Sequence, residues 1–297
     1  MPQPTRNAPL DEPFGYCLNT STIYGAALPL ERELEIAAEV GFGAVEPWIR
    51  EIEAHVSAGG SLRDLRRRAE DLGLRIAGAV GFAQWVVPDP GQRAAGLEHM
   101  KKDMDLVAAI GGRHIASPPV GAHQTDQVKP ELDQIAERYR EILELGMQTG
   151  VTPILELWGF SQTLSRLSEV IYVAAQAAHP NACLLLDSYH LHKGGSGFGG
   201  VRLLNGAALP VLHINDYPAV PDRTQIDDSY RVYPGDGVAP LGELFRTLHA
   251  IGFDGFLSVE LFNTGYWKLP AEEVARTAIA KTRAAVRQAF ADVGEKR

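Results

Sequence analysis

The chain has 297 residues, 45% of them hydrophobic and 22% charged, and a formal net charge of −9. That is apolar material enough for a substantial core, and the length suits one α/β barrel as well as two smaller domains. An acidic balance without a basic tract opposes nucleic-acid binding, and no apolar run reaches the roughly 18 residues that a membrane-spanning helix needs.

The opening MPQPTRNAPLDEP is polar and proline-rich and has no apolar targeting segment. Residues 1–12 are therefore expected to be a disordered lead-in to one domain over 13–297, and the protein to be cytoplasmic. Short apolar, β-rich runs then alternate with stretches of helical periodicity. Strands are predicted at 14–18, 44–48, 74–78, 113–117, 152–157, 183–187, 211–214 and 256–261. Helices are predicted near 30–40, 61–72, 93–110, 130–149, 163–178, 199–207, 240–250 and 271–291. Gly41, Gly73, Gly111, Gly150 and Gly252 each follow a helical stretch and precede a strand, where a left-handed cap ends a helix.

Parallel neighbours need helical crossovers, so this alternation predicts an all-parallel sheet. Even spacing and the lack of a nucleotide-binding first turn favour a closed (β/α)₈ TIM barrel over an open, doubly wound sheet. The longest irregular stretch, 215–239, reads as an active-site insertion. Cys17 and Cys183 fall in apolar runs and read as buried free thiols. Asn19-Thr20-Ser21 matches a glycosylation acceptor but lacks the export context that would give the match meaning. The run Arg66-Arg67-Arg68 lies on a helical pattern and reads as a solvated face.

Barrel enzymes carry their chemistry at the C-terminal ends of the strands. Here Glu156 closes the fifth predicted strand, Asp187 the sixth and Glu260 the eighth, and His213 lies near the end of the seventh. Each alone could be a core histidine or half of a salt bridge. Three inward carboxylates together would repel one another without a cation, which points to one bound divalent metal. An oxygen-rich set with one nitrogen and no thiolate suits Mn²⁺ first, then Mg²⁺, with Co²⁺ and Zn²⁺ also compatible.

These residues lie in LELWG (155–159), LLLDSYH (184–190), VLHINDYP (211–218), RVYPGDG (231–237) and FDGFLSVEL (253–261), with looser matches in GYCLNTSTI (15–23) and GFGAVEPW (41–48). Through this ordered set the chain resembles the xylose-isomerase-like family of sugar isomerases and epimerases. The resemblance implies Glu156, Asp187, His213 and Glu260 as metal ligands. It also implies that Glu156 and Glu260 exchange protons with the substrate, and that His190 and Arg231 contact substrate oxygens. The chain departs from ketose epimerases in an acidic loop after strand seven (Asp222, Asp227, Asp228) and in His192 and Lys193.

A divalent cation that polarises a ketone acidifies the neighbouring C–H, and a carboxylate can then take the proton to give an enediolate. Return of the proton to the other face epimerises and return to the next carbon isomerises, whereas loss of a β-hydroxyl dehydrates. A small keto-sugar or keto-polyol is the expected partner. Isomerase or epimerase is the leading reading, and a dehydratase or lyase on a keto-inositol or 3-keto-sugar is the alternative. Barrels often associate, so a homo-oligomer is compatible with the sequence.

Other features carry weaker readings. Glu46 is either a ligand for sugar hydroxyls or half of a salt bridge, and Trp48, Trp158 and Phe160 either wall a sugar pocket or cap the core. GSGFGG at 195–200 has dinucleotide-fingerprint spacing but stands seven residues beyond strand six and reads as a loop, with Lys193 a phosphate contact or an exposed lysine. His114 reads as packed. A DNA-repair endonuclease of the related barrel family would need an Asp-x-His pair where Asp228-Ser229-Tyr230 stands. A non-catalytic sugar-binding barrel remains a third class, opposed by two intact candidate acid/base glutamates.

Overall fold

The computed structural model of the chain describes residues 12–294. Apart from Glu12, which pairs with Arg287 at 3.3 Å, the expected lead-in lies outside the described residues. Eight strands form one curled parallel sheet: β1 (Gly15–Asn19), β2 (Ala44–Glu46), β3 (Arg75–Ile76), β4 (His114–Ser117), β5 (Thr152–Glu156), β6 (Leu184–Asp187), β7 (Val211–Ile214) and β8 (Phe256–Val259). Their order is β3-β2-β1-β8-β7-β6-β5-β4. Between β3 and β4 the barrel closes through a single bridge, Val80↔Ala116, and not through a ladder.

The third strand is shorter than predicted because 77–79 is Ala-Gly-Ala, where little side chain is available to pack. Gly78 has a further reason to be small: a Cβ there would lie 3.2 Å from Glu46 Oε1. All five glycines expected to end helices have φ between 71° and 97°, a backbone that an L side chain resists.

The helices are α1 (Leu30–Val40), α2 (Ile49–Ser57), α3 (Leu62–Asp71), α4 (Pro90–Ala109), α5 (Leu132–Thr149), α6 (Leu167–Gln176), α7 (Ser188–Gly194), α8 (Leu241–Ala250) and α9 (Ala271–Gly294). Helix α4 starts earlier than the periodicity suggests because the Asp89 carboxylate accepts from Gln92 N and Pro90 occupies the first turn. Helix α6 starts later because Leu164 has φ 60°. The helix expected over 199–207 is instead two short 3₁₀ turns, Gly199–Leu203 and Gly206–Ala208, in a glycine-rich segment. Helices α2 and α7 were not predicted. The arginine run does lie on an exposed face of α3, paired with Glu70, Asp64 and Glu35. No helix among the described residues is long and apolar enough to cross a membrane.

Strand geometry sets what faces the barrel axis, because side chains alternate faces. Cys17, Ala44, Ala77, Ala116, Ile154, Cys183, Leu185 and Val211 form a buried lumen cluster of small and branched residues. A larger core fills the space between sheet and helices. Two residues beyond the lumen positions Cys17, Ala44, Ile154, Leu185 and Val211 stand Asn19, Glu46, Glu156, Asp187 and His213. The apolar plug of the barrel therefore carries the polar layer directly above it.

Cys17 and Cys183 are free and buried, and burial pushes both thiols up, Cys183 to about 12. Thiolate is the reactive form. Neither should react with an aromatic disulfide reagent at pH 8 in the native protein, and both should react on addition of denaturant. Release of the chromophore from native protein would contradict the lumen packing.

Candidate active site

The polar layer is built by adjacent strand ends. Parallel register sets Asn19 beside Glu46, Asp187 beside His213, and His213 beside Ser258, with Glu260 two residues further on. Glu46, Asp187 and His213 are each 1% exposed, Glu260 4% and Glu156 8%. Four carboxylates thus share one buried volume, and each is costly there unless something compensates its charge.

His213 is central to that compensation. Its Nε2 lies 2.8 Å from Glu46 Oε2, which also accepts from Ser258 Oγ at 2.7 Å and from Asn19 Nδ2 at 3.0 Å. Burial works against ionisation of Glu46, but His213, Ser258 and Asn19 more than offset it and hold the carboxyl below its usual range. With Nε2–H donated to Glu46, His213 Nδ1 faces Glu260 Oε2 at 3.1 Å and Asp187 Oδ2 at 3.9 Å and has no hydrogen bond of its own. Burial would make this imidazole neutral, yet Glu260 and Glu46 hold its pKa well above the ordinary value.

Asp187 is split between two tasks. Its Oδ1 accepts from the backbone N–H groups of Tyr189 (2.6 Å) and His190 (3.3 Å) at the start of α7, and from Asn215 Nδ2 at 3.1 Å. Its Oδ2 accepts from Arg231 Nη1 at 2.6 Å. Burial would raise this carboxyl, but Arg231, His190 and His213 hold it well below the usual range.

Arg231 is 1% exposed; four of its five N–H donors are hydrogen-bonded to protein acceptors, and Nη2 also forms an ion pair with Asp228. Nη1 donates to Asp187 Oδ2 and to Glu260 Oε2 (2.9 Å). Nη2 donates to His190 Nε2 (3.2 Å) and lies 2.8 Å from Asp228 Oδ1, to which Nε also donates at 2.8 Å. The stretch after β7 delivers this arginine. Asp216 anchors it by accepting four backbone N–H groups, from Tyr217 and Ala239 on Oδ1 and from Gly235 and Gly237 on Oδ2. Lys193 Nζ staples the other side, donating to Thr224 O and Ile226 O, and Tyr189 Oη donates to Asp227 O.

The cavity above this layer has a volume of about 220 Å³. Trp48, Phe82, Trp158 and Phe262 wall it, and Glu156, Glu260, His190, Arg231 and Asp228 supply its polar surface. A larger hollow of about 460 Å³ lies between residues 27–31 and α2 and contains none of the predicted site residues. His190 is neutral in this setting, burial pushing it down to about 4. Its Nε2 accepts from Arg231, so the proton sits on Nδ1, which has no protein partner.

Of the four predicted metal ligands, Asp187, His213 and Glu260 present one ligand atom each within 4.8 Å of one another. Glu156 lies outside that set. It faces the same cavity with no protein donor on its carboxylate among the described residues, and burial pushes its pKa up to about 8, with Glu260, Asp187 and Glu46 adding to the rise. A divalent cation fits this donor set, because loss of the His213 Nδ1 proton would leave an imidazole lone pair beside carboxylate oxygens of Asp187 and Glu260.

For several predicted residues the structure distinguishes between the alternatives. Glu46 turns toward His213 and is a salt-bridge partner, with no place in the cavity lining. Arg231 lines the cavity but has no unengaged donor for a substrate oxygen. Phe160 lies outside the lining, under Lys193 Nζ at 4.9 Å. Lys193 Nζ gives two of its three hydrogens to the 215–239 stretch. The 195–200 glycines follow α7, with Gly195 capping it, and do not open a phosphate-binding helix. His114 packs as expected, Nδ1 against Ala77 O. Asn19, Ser258, Asn215, Asp228, Phe82 and Phe262 were missed. Asn19, the first residue of the discounted glycosylation match, is buried in the carboxylate layer.

Comparison with known proteins agrees with the architecture. The family model for the xylose isomerase-like TIM barrel matches residues 34–285, and the chain belongs to that family. It is 28% identical over 195 residues to inosose isomerase of Bacillus velezensis, covering 65% of this chain and 69% of that one. It is 25% identical over 248 residues to 3-dehydroshikimate dehydratase of Pseudomonas aeruginosa, covering 81% of this chain but 37% of that longer protein. A solved structure, of the IOLI protein with a binding zinc atom, superposes with a TM-score of 0.83 over 93% of this chain and 99% of that one, at 24% identity. The fold is the one expected, and the relatives are isomerases and dehydratases.

Glu156 gives a pH signature to the metal-free protein. Its folded pKa of about 8 exceeds the ordinary 4.5, so the folded state retains a proton that the unfolded chain releases. Stability from this group is therefore full below pH 4.5, falls as pH rises toward 8, and is level above. Glu156→Gln should melt higher than wild type at pH 9, by on the order of 1–3 kcal/mol, with the gap closing at pH 5. Equal gaps at the two pH values would show that the carboxyl is not desolvated.

Proposed function

We propose that the protein is a divalent-metal-dependent isomerase or epimerase that acts on an uncharged keto-sugar or keto-polyol by moving the proton next to the carbonyl. The observation that carries this reading is the contrast between the two glutamates that face one cavity. Glu260 is fixed, with Oε1 held by Asn19 at 3.3 Å and Oε2 by Arg231. Glu156 has no protein donor among the described residues, and in the metal-free protein burial raises its pKa to about 8, as for a carboxyl left free to exchange its proton.

Asp187, His213 and Glu260 would hold the cation, with Glu156 as the fourth ligand, and Mn²⁺ is the expected ion. When bound, a divalent cation polarises the carbonyl and acidifies the adjacent C–H. The residues of the chain do the rest. Trp48, Phe82, Trp158 and Phe262 exclude water and present ring faces to the C–H surface of a polyol. His190 Nδ1–H is a donor for a substrate oxygen. Glu156 and Glu260 rise from β5 and β8, with two strands between them, so one carboxylate can take the proton and the other return it. The substrate is read as uncharged because the one arginine of the cavity wall is spent on protein acceptors, and the remaining charged groups of the wall are carboxylates.

A dehydratase is the second reading. It is supported by the similarity to 3-dehydroshikimate dehydratase.

Proton NMR of the Mg²⁺-loaded protein with keto-sugars and keto-inositols in D₂O separates these readings. Deuterium should enter the carbon next to the carbonyl, and the product identifies epimerisation, isomerisation or dehydration. Glu156→Gln and Glu260→Gln should each lower exchange by about 10²-fold or more while keeping the wild-type circular dichroism. Metal-loaded protein that exchanges no substrate in the panel would point to a sugar-binding barrel without turnover.

A further inference from the structure

We propose that Asn19 is a positioning residue for this reaction: its amide sets the rotation of the Glu260 carboxylate and ties it to Trp48, a wall of the cavity. The proposal rests on the reading of Glu260 as a proton-transferring ligand. Asn19 is fully buried at the end of β1. Its Oδ1 accepts from Trp48 Nε1 at 2.9 Å and from Ser21 N at 3.1 Å. Both partners are donors only, so the amide cannot be flipped, and its nitrogen must face the carboxylates.

Nδ2 then donates one hydrogen to Glu46 Oε2 at 3.0 Å and the other to Glu260 Oε1 at 3.3 Å. Every hydrogen-bonding capacity of the amide is used. On Glu260 the division is clear. Asn19 takes the oxygen turned away from His213, and Oε2 is left toward His213 Nδ1 at 3.1 Å and Arg231 Nη1 at 2.9 Å. Without the amide, Glu260 Oε1 would lose its protein donor and only His213 would stand between Glu46 and Glu260, so Glu260 would be free to turn out of that alignment.

The other end of the link is mechanical. The Trp48 ring packs against Phe82 (5.3 Å between centroids) and Phe262 (5.8 Å), both of which line the cavity. Its indole N–H orients the amide, so the wall that touches the substrate also registers the carboxylate that reacts with it.

Asn19→Ala and Trp48→Phe test this in the full chain, by Mn²⁺ titration calorimetry, thermal melting, and kcat and KM for exchange in D₂O. Trp48→Phe keeps an aromatic wall and removes the N–H donor together with part of the ring. Asn19→Ala should weaken Mn²⁺ binding by about 10- to 100-fold and lower kcat by at least as much, with KM within about threefold of wild type. Trp48→Phe should act in the same sense but less, weakening Mn²⁺ binding by about threefold or more and lowering kcat by about tenfold. Asn19→Ala with Mn²⁺ affinity and kcat both near wild type would overturn the proposal. So would Trp48→Phe with a raised KM and unchanged kcat and Mn²⁺ affinity, since Trp48 would then be a wall alone. If Asn19→Ala shows no cooperative melt, Trp48→Phe decides. If wild type exchanges no substrate, the functional reading fails, and the Mn²⁺ affinities of the two variants still decide the role of Asn19.

Discussion

The structure turns on one electrostatic constraint: Glu46, Glu156, Asp187 and Glu260 share a buried layer at the mouth of the barrel, none more than 8% exposed. Like charges at such separations, out of water, are tolerable only when donors and cations are arranged around them. Much of what surrounds the layer answers that need. The start of α7, Asn19, Asn215 and Ser258 supply hydrogen-bond donors, and His213 and Arg231 supply positive charge. Glu156 is the exception, and its raised pKa is the consequence.

The same constraint gives the long stretch after β7 its purpose. Arg231 must reach the centre of the barrel from a loop, and a loop positions a guanidinium only if its own backbone is fixed. Asp216 does this at the base with four accepted backbone hydrogen bonds, and a Cβ at Gly237 would lie 2.3 Å from its Oδ1. Lys193 and Tyr189 hold the far side from α7. Asn263, just after β8, donates to Arg231 O at 3.0 Å. Loop, helix and strand end thus converge on one side chain.

The fold was legible because it rests on repeating local signals. Apolar runs of strand length, helical periodicity and left-handed glycines recur along the chain, and a misplaced boundary does not change the count of strands. Asp187, His213 and Glu260 were legible because packing alone gives an apolar strand no reason to end in a carboxylate or an imidazole. Asn19 and Ser258 were not, although each lies on the inward face two residues from Cys17 or Glu260. A short polar residue at a strand end is common, and its value appears only when strands distant in sequence bring carboxylates beside it. Arg231 was legible as a site residue but not in its role. The number of acceptors around a guanidinium is a property of the folded loop, and it moves Arg231 from the substrate to the charge balance.

What the charge balance leaves unused indicates where a substrate must engage. Among the polar groups of the cavity wall, Arg231 has no spare donor, and Glu260 is clamped on both oxygens. The Glu156 carboxyl and His190 Nδ1 are the groups with open capacity, one a carboxyl whose pKa burial has raised and the other a neutral donor. In the functional reading proposed above, a reacting carbon belongs against Glu156, and an oxygen of the same substrate against His190. Among the described residues of the wall, a carboxylate or phosphate would meet Glu156, Glu260 and Asp228 and no uncommitted cationic side chain, so only the cation itself could receive it. Hydroxyl and carbonyl groups can use both open sites without adding charge to a layer that already holds as much as its donors can balance.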